Sequence, residues 1–216
     1  MADISIRTYK SGDYEAVRAL FAEGMLSYVP STIVHLLKRP LVYIPMSVSL
    51  ITLHMAFRSY LLSLLGVASL LAAGFLLLKT MFRMYINKCH RGDLLNIEES
   101  YMMGQDSCFW VAESNGRVIG MVGVQPVPGS RHAVLLRRLS VTKSQRHRGT
   151  ARKLCMTVID FARQRGYKQV TLDASTLLHA GHRLYQRLGF QITKVKQNLA
   201  GKFVNSVIIY YTYHIQ

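Results

Sequence analysis

A basic turn that contains a glycine is the first feature of this sequence whose residue types suit a chemical task. It stands between a segment with strand character, 133–141, and a segment with helical spacing, 149–165. The turn consists of Arg146, His147, Arg148, Gly149, Thr150 and Ala151. A glycine lets the backbone approach a ligand closely, and the first N–H groups of the following helix have no intrahelical partner. The turn therefore predicts an anion-binding site, with a solvated basic turn that caps a helix as the alternative.

A second short motif, later in the chain, supports the prediction made from the basic turn. Tyr185 follows Arg146 by 39 residues, near the end of a predicted helix, 179–188, and Gly189 comes just after that helix. A predicted strand, 170–172, lies between the two strings. The order strand, basic turn, helix, strand, helix is typical of an α/β domain.

Together the two strings resemble the GCN5-related N-acetyltransferase (GNAT) superfamily. Segments 109–114, 118–123 and 161–167, with an early apolar insert, are similar to its camello-like branch. This resemblance covers nearly the whole chain. It implies an α/β GNAT fold, in which a mixed central sheet has flanking helices and an apolar helical hairpin follows the first βα unit. It also implies an acetyl-CoA-dependent N-acetyltransferase.

The resemblance assigns roles to residues of both strings. Leu139, Ser140 and Val141 match the strand that binds the pantetheine arm of acetyl-CoA. The turn from Arg146 to Ala151 matches the pyrophosphate loop, with Ala151 in place of the commoner glycine. Tyr185 matches the residue that protonates the departing thiolate, with a core aromatic as the alternative. His179 and Gly181 stand where the superfamily often has Asn and Ala, so the resemblance is weaker at the start of this helix.

The strand 133–141 contains no carboxylate, although many superfamily members carry a glutamate base at this point. Asp173, at the end of the next strand, is the nearest candidate and could act through water; a helix cap or an arginine partner is the alternative role. A site without a strong base favours an α-amine. An α-amine is roughly 10% neutral at pH 7, whereas a lysine is below about 0.1% neutral.

Two successive arginines suggest how the acceptor is held. Arg137 and Arg138 should alternate across the strand, so that one of them faces the cleft. An arginine there could bind a substrate carboxylate in bidentate fashion. Surface positions, or pairing with the phosphates of CoA, are the alternatives.

An apolar segment dominates the first half of the chain. Between Leu41 and Leu78 the only charged residue is Arg58, which separates stretches of 17 and 19 residues. As helices these would be about 25 and 28 Å long, close to the ~30 Å of a bilayer core. Since the parts before and after should share one sheet, the insert must cross the bilayer an even number of times. We predict a hairpin that turns at Arg58, with a re-entrant hairpin or a buried helical pair as alternatives.

The flanking charges orient this hairpin. Lysine and arginine residues cluster before and after the insert, which favours a cytosolic location for both ends. The predicted organisation is a first βα unit at 1–37, a membrane-inserted hairpin with basic flanks at 38–91 and the catalytic core at 92–216. The basic stretch 79–91 could also lie on anionic headgroups.

The remaining elements follow from periodicity and turn signals. Strands are predicted at 4–7, 108–112, 118–124, 133–141, 170–172, 190–196 and 204–213, and helices from 12 onward, at 79–91, 94–104, 149–165 and 179–188.

Composition narrows the choice of partners. The chain has 216 residues, of which half are apolar and 18% are charged, so a disordered protein is excluded. Its formal net charge of +16 predicts attraction to phosphates of nucleic acid, anionic lipid or a cofactor. The basic residues are not interleaved with aromatics, so no nucleic acid is expected. Cys89, Cys108 and Cys155 lack CxxC spacing, which indicates reduced thiols and neither zinc nor disulfides.

The resemblance, together with the apolar insert, implies a membrane-bound enzyme that moves acetyl from acetyl-CoA to the α-amine of cysteine S-conjugates. Its partners would be a small-molecule amine and membrane lipids, with no metal. Family analogy suggests the endoplasmic reticulum membrane or the ER–Golgi intermediate compartment, with the catalytic domain in the cytosol. A protein-lysine acetyltransferase and a non-catalytic CoA- or lipid-binding membrane protein are the alternatives.

Overall fold

A computed structural model describes residues 4–197 and 207–215 of the chain. The helices are α1 (Tyr14–Leu26), α2 (Val29–Leu37), α3 (Pro40–Phe57), α4 (Tyr60–His90), α5 (Thr150–Gln164) and α6 (His179–Arg187). The strands are β1 (Ser5–Thr8), β2 (Cys108–Ser114), β3 (Arg117–Pro126), β4 (Ala133–Val141), β5 (Gln169–Ser175), β6 (Gln191–Gln197) and β7 (Val207–His214).

The strands form one mixed sheet in the order β1-β2-β3-β4-β5-β7-β6. All neighbouring pairs are antiparallel except β4 and β5, which are parallel. α5 connects these two strands, as a parallel pair requires. The predicted α/β class with a mixed sheet and flanking helices is confirmed.

Most predicted elements are present, and β4 has the predicted bounds. The predicted helix at 94–104 is wrong: a single π-helical turn, Glu98–Met102, replaces it. The side chain of Asn96 accepts a hydrogen bond from the N–H of Glu99 at 3.1 Å and caps the turn at its start. The first three residues of the predicted strand 204–213 lie outside the described residues.

One face of the sheet packs against α5. Val134 and Leu136 of β4 face this helix, and Leu154, Val158 and Ile159 of α5 are fully buried against the sheet. These apolar residues recur at helical spacing while the other face of α5 carries charges, so α5 is an amphipathic surface helix.

The opposite face of the sheet packs against α1 and the π-helical turn. Val17 of α1 and Tyr101 of the turn are completely buried. Gly123 of β3 lies directly under the Tyr101 and Phe109 rings, where an added Cβ would come within 2.7 Å of the Tyr101 ring. A glycine is therefore required at this close approach.

The chain divides into two compact units. One contains the sheet and comprises Met1–Gly24 and Asn87–Gln216, and the other is Met25–Ile86. The predicted hairpin, 38–91, begins later because α2 was assigned to the first βα unit.

The second unit is helical and apolar on its outside. No residue of α3 is buried, although the helix consists mostly of apolar side chains. Arg58 ends α3 in a left-handed conformation with φ of 49°, and α4 begins two residues later. An added Cβ at Gly66 would lie 2.7 Å from the Leu53 side chain, so α3 and α4 approach closely there. The predicted turn at Arg58 is therefore present.

Three helical stretches of the described chain are long and apolar enough to cross a membrane: Ser11–Leu37, Pro40–Phe57 and Tyr60–His90. The most apolar is Tyr60–His90, with a mean hydropathy of 2.5 over its best window. The first includes α1, whose apolar face is buried against the sheet. Helices that are apolar all round, as in the hairpin of α3 and α4, are typical of a lipid environment.

Candidate active site

β4 and β5 separate soon after they meet. Their pairing joins Ala133–Leu135 to Gln169–Thr171, and the Thr171 hydroxyl donates to the Val134 carbonyl at 3.1 Å. From Leu136 onward the described residues of β5 supply no partner to this edge of β4. The two strands are therefore open beyond Leu135, and we call this opening the β4–β5 cleft. Backbone amides along this edge of β4 can therefore meet an extended ligand.

A β-bulge lies in β4 at the start of the cleft. Ser140 pairs with Met121 and Arg137 pairs with Gly123, so Arg138 and Leu139 together oppose Val122 of β3. Arg138 has a φ of 59°, in the left-handed region that a residue with a Cβ seldom adopts. Such two-against-one bulges re-aim the strand next to active sites.

The bulge overturns the expected alternation of the two arginines. A strand places successive side chains on opposite faces only while its backbone stays extended. Arg138 departs from that conformation, and the charges of Arg137 and Arg138 both act on Asp93. The spacing of residues in the sequence could not reveal this loss of alternation, because the extra residue of the bulge is evident only from the pairing of β4 with β3.

Arg138 is held in a buried network rather than directed freely into the cleft. Its Nη2 and Nε donate to the two carboxylate oxygens of Asp93 at 2.6 and 2.8 Å, and its Nη1 donates to the Cys89 sulfur at 3.0 Å. The guanidinium carbon lies 5.1 Å from the centre of the Phe21 ring, at cation–π distance. The Tyr101 hydroxyl also donates to Asp93.

This network keeps Asp93 ionised. Burial alone would raise the pKa of Asp93, but hydrogen bonds from Arg138 and Tyr101 and the positive charge of the two arginines hold it below its usual value. Burial, and then the charge of Asp93, raise the pKa of Tyr101. Sequence reasoning missed Asp93, since it lies 45 residues from Arg138 and carries no motif.

Arg137, unlike Arg138, makes no hydrogen bond or ion pair with Asp93. It is half-buried and immediately precedes the bulge. The described residues offer it no hydrogen bond or ion pair within 4 Å.

The turn from Arg146 to Ala151 has the backbone of an anion site. His147 and Gly149 have φ of 65° and 80°, so two left-handed residues stand one apart. α5 begins at Thr150, and its first N–H with a backbone acceptor is that of Lys153, which donates to Gly149. Successive N–H groups in such a turn, followed by a helix N-terminus, form a concave anion-binding surface.

Neighbouring contacts fit a bound phosphate group. Arg146 Nε donates to the Val141 carbonyl at 3.2 Å, which joins the turn to the end of β4. An added Cβ at Gly149 would meet nothing within 4 Å, so the space over the turn is open. The Thr150 hydroxyl is buried and has no hydrogen-bond partner among the described residues. Leu139, Ser140 and Val141 are placed between this turn and the bulge, on the free edge of β4.

Tyr185 lies on α6 at the far side of the cleft. It is buried, with its ring centre 5.6 Å from Tyr211 and 5.9 Å from Phe190. An added Cβ at Gly181 would lie 3.7 Å from the Tyr185 hydroxyl, so the small residue one turn earlier leaves room beside that group.

His182 is a residue of this site that sequence reasoning missed. Its Nε2 lies 2.9 Å from the Ser175 carbonyl and its Nδ1 lies 2.8 Å from the Tyr211 hydroxyl. Because a carbonyl can only accept, Nε2 carries the proton, and in the neutral ring Nδ1 accepts from Tyr211. His182 thus fixes the Tyr211 ring against which Tyr185 packs. Its position three residues before Tyr185, on one helix face, was an available signal.

Asp173 is exposed on β5, where it pairs in register with Tyr210 of β7. Neither of the alternative structural roles, a helix cap or an arginine partner, occurs among the described residues. A water-accessible carboxylate next to the cleft remains compatible with proton transfer through water.

The described residues contain no group of three or more His, Cys, Asp or Glu side chains that could hold a metal. All three cysteines are free, and burial raises the pKa of the Cys155 thiol to about 12.

Comparisons with known proteins agree with this geometry. The profile of the Acetyltransferase (GNAT) family matches residues 76–190. The chain is 40% identical over 218 residues to the probable N-acetyltransferase camello of Xenopus tropicalis, with complete coverage of both chains. It is 36% identical over 201 residues to N-acetyltransferase 8 of Rattus norvegicus, and the match covers 89% of this chain and 88% of that one.

Solved structures share the fold. A GNAT-family acetyltransferase of Staphylococcus aureus matches 99% of this chain and all of its own, with a TM-score of 0.60 at 15% identity. A protein of Salmonella typhimurium, solved with its cofactor acetyl-CoA, matches 99% of this chain and 94% of its own, with a TM-score of 0.56 at 16% identity. The chain belongs to the GNAT acetyltransferase family and, within it, to the camello-like N-acetyltransferases.

Proposed function

We propose that this enzyme is membrane-bound and transfers acetyl from acetyl-CoA to the α-amine of cysteine S-conjugates, which yields mercapturic acids. The observation that carries the proposal is the β4–β5 cleft, which opens beside the left-handed turn at His147 and Gly149 and the N-terminus of α5. An extended thioester with a diphosphate at one end matches both features. The relative from Salmonella typhimurium, which has this fold, was solved with acetyl-CoA.

Acetyl-CoA would be held at two places. The turn from Arg146 to Ala151 would bind the pyrophosphate, with no metal required. Its amides from His147 onward would donate, because the Arg146 N–H already donates to the Lys143 carbonyl at 3.4 Å. The free edge of β4 at Leu139, Ser140 and Val141 would bind the pantetheine amides as a neighbouring strand does. These contacts would direct the thioester toward the bulge.

The reaction would be a direct attack within a ternary complex. The neutral amine nitrogen attacks the thioester carbon, the new C–N bond forms and the C–S bond breaks. A backbone N–H of β4 next to the bulge would stabilise the negative charge that develops on the carbonyl oxygen. Tyr185 would donate its proton to the departing thiolate, and Asp173 would receive the proton of the amine through water.

The acceptor class follows from the residues around the cleft. β4 carries no carboxylate that could deprotonate a lysine, which favours an α-amine. Since Arg138 is bound to Asp93, the carboxylate clamp would fall to Arg137. A cysteine S-conjugate offers both an α-amine and an adjacent carboxylate.

The helices α3 and α4 would form a hairpin in the endoplasmic reticulum membrane or that of the ER–Golgi intermediate compartment, with the catalytic unit in the cytosol. Both helices expose large apolar side chains. Residues 25–86, the unit that contains most of this hairpin, have no aspartate or glutamate. Lys38 and Arg39 precede α3, and Lys79 and Arg83 lie in the last part of α4, which is consistent with cytosolic ends. An apolar S-substituent would partition into the same bilayer, which would concentrate the acceptor near the enzyme.

An acceptor screen in detergent micelles tests the proposal. Purified full-length protein would be given acetyl-CoA with S-benzylcysteine, free amino acids or lysine peptides, and acetyl transfer would be followed by mass spectrometry. We expect S-benzylcysteine to be acetylated and lysine peptides not. Preference for lysine peptides would assign a protein acceptor, and retention of acetyl-CoA without transfer to any amine would overturn the catalytic assignment.

Two variants test the site in the same assay. Gly149→Trp should abolish acetyl-CoA retention, whereas Gly129→Trp, at a glycine with nearly the same φ and equally open surroundings, should not. Tyr185→Phe should lower kcat by about 100-fold. Tyr14→Phe, which removes a surface hydrogen bond to the Leu95 carbonyl, should leave kcat unchanged. Equal effects within either matched pair would contradict the site.

A further inference from the structure

We propose that the buried ion pair between Asp93 and Arg138 is a positioning device for acetyl transfer. It holds Arg138 in its left-handed conformation and thereby aims the β4 amides that follow the bulge. The inference rests on the proposed function, because it assigns to Asp93 a role in the same cleft. Asp93 itself would touch neither acetyl-CoA nor the amine.

The backbone at Arg138 needs such a support. With a φ of 59°, the Cβ of Arg138 is crowded against its own backbone, a conformation that persists only where surrounding contacts hold it. Glycine adopts this conformation without strain and is common in bulges of this kind. Because residue 138 is an arginine, contacts of its side chain must offset the strain of the left-handed backbone, which a glycine would not have.

The side chain is fastened at each of its nitrogen atoms. Nε and Nη2 donate to Asp93 and Nη1 donates to the Cys89 sulfur, so the planar guanidinium has one orientation. Its exposed fraction is 12% and that of the Asp93 side chain is 14%. Separating two paired charges that are this little exposed is costly. The bidentate pair of Arg138 and Asp93, which we call the fork, therefore holds the arginine side chain in place.

The anchor is itself immobilised by the core. Asp93 accepts a further hydrogen bond from Tyr101, a fully buried residue of the π-helical turn. Leu94 and Ile97, which follow Asp93 in the chain, are also fully buried. The fork therefore transmits the rigidity of this core to the bulge.

The bulge decides which groups face the cleft. It stands between Arg137, the candidate carboxylate clamp, and Leu139 to Val141, the candidate pantetheine-binding edge. If Arg138 returned to an extended conformation, the register past it would slip by one residue and every later side chain and amide would turn to the other side. The amide aimed at the thioester oxygen would then be lost while the 146–151 turn stayed intact.

A second ion pair in the same unit provides a matched control. Arg7 of β1 donates through Nη1 and Nη2 to the two oxygens of Asp13 at 2.6 and 2.9 Å, so this pair is also bidentate. Its Nε donates to Glu113 at 2.7 Å. Arg7 has ordinary strand backbone and pairs with Val111 on the edge of the sheet, away from the cleft. Loss of either fork should weaken folding, but only loss of the Asp93 fork should affect acetyl transfer.

The experiment compares kinetic constants of full-length variants in micelles, with the amine that the wild type acetylates. Asp93→Asn should lower kcat by about tenfold or more and leave KM for acetyl-CoA nearly unchanged. Asp13→Asn should leave both constants unchanged. The decisive comparison is between two double variants, Asp93→Asn/Arg138→Gly and Asp93→Asn/Arg138→Ala. The glycine should restore kcat to within about threefold of wild type because it needs no anchor, and the alanine should not.

Equal kcat for the glycine and alanine double variants would overturn the inference, as would an Asp93→Asn variant that loses only thermal stability. If Asp93→Asn alone does not fold, the double variants still allow the comparison, since both remove the buried arginine along with the aspartate charge. A wild type that acetylates no amine would count against the proposed function. In that case a crystal structure of Asp93→Asn tests the inference, and a residue 138 still left-handed would overturn it.

Discussion

The helices α5 and α3 have 15 and 18 residues, and they differ in how they bury their apolar side chains. α5 buries six residues along one face, among them Leu154 and Val158, and turns charged side chains outward. α3 buries none of its residues. α4 also exposes large apolar side chains: Leu64 and Leu70 are each more than half exposed.

This difference in burial supports the proposal that the two regions face different solvents. In α5 the hydrophobic effect acts through the protein, because burial against the sheet removes apolar surface from water. In α3 and α4 large apolar side chains stay exposed, which fits the proposed membrane hairpin, where lipid tails would cover them. A charge placed on an apolar position therefore has a different consequence in each region.

The largest effect is expected in the sheet-containing unit. Val158→Asp would place a carboxylate at a completely buried position of α5 without a partner. We expect a loss of more than about 4 kcal/mol, a large part of a typical domain's stability. Urea unfolding followed by circular dichroism measures it. Val158→Ala, which removes only methyl groups, should cost clearly less, and equal midpoints for the two variants would contradict the burial assigned to α5.

The same kind of substitution in the hairpin should spare the fold and weaken the membrane contact. Leu70→Lys lies near the middle of the apolar part of α4, where Leu70 is 53% exposed. A lysine at the centre of a membrane helix costs about 3 kcal/mol of insertion, roughly 100-fold in partitioning. Flotation with liposomes measures the bound fraction, and acetyl transfer in micelles checks the fold. Leu70→Ile is the matched control, and unchanged flotation of Leu70→Lys would argue against a lipid-facing helix.

This contrast also explains what the sequence could and could not predict. The bounds of β4, the apolar face of α5 and the turn at Arg58 depend on local patterns, so periodicity and charge found them. The helix predicted at 94–104 failed because Tyr101 and Ile97 are buried by distant parts of the sheet unit rather than by a regular helical face. The bulge at Arg138 and its partner Asp93 depend on register and on a contact across 45 positions, which no local pattern encodes.

Glycines provide a smaller test of the same contrast. At Gly123 an added Cβ would come within 2.9 Å of the Phe109 ring, whereas at Gly74 of α4 it would meet nothing within 4 Å. Gly123→Ala must displace buried rings of the sheet unit and should cost about 1–3 kcal/mol. Gly74→Ala should leave the unfolding of that unit unchanged. Both are read from urea midpoints in micelles, and a comparable loss for Gly74→Ala would show that the hairpin contributes packing to the unfolding reaction.

The smallest effect that we expect is a loss of folding stability at acidic pH. Residues 25–86 contain no aspartate or glutamate, so carboxylate titration can act only on the rest of the chain. The hydrogen bond from Arg7 holds the pKa of Asp13 below its ordinary value, despite partial burial. A carboxyl whose folded pKa is lowered contributes stability that is complete above its unfolded pKa of about 3.9 and is lost as pH falls toward the folded value.

The urea midpoint of the wild type should therefore fall between about pH 5 and pH 3, and Asp13→Asn should reduce this slope. The expected difference is about 1 kcal/mol or less, because the Arg7 side chain is 30% exposed and the pair is partly screened. High salt should shrink it further. Equal slopes for wild type and variant would mean that the fork at Asp13 adds nothing to folding. The pKa of Asp93 is also held below its ordinary value, so the Asp93–Arg138 pair would still couple this unit's stability to acid, through the bulge that borders the cleft.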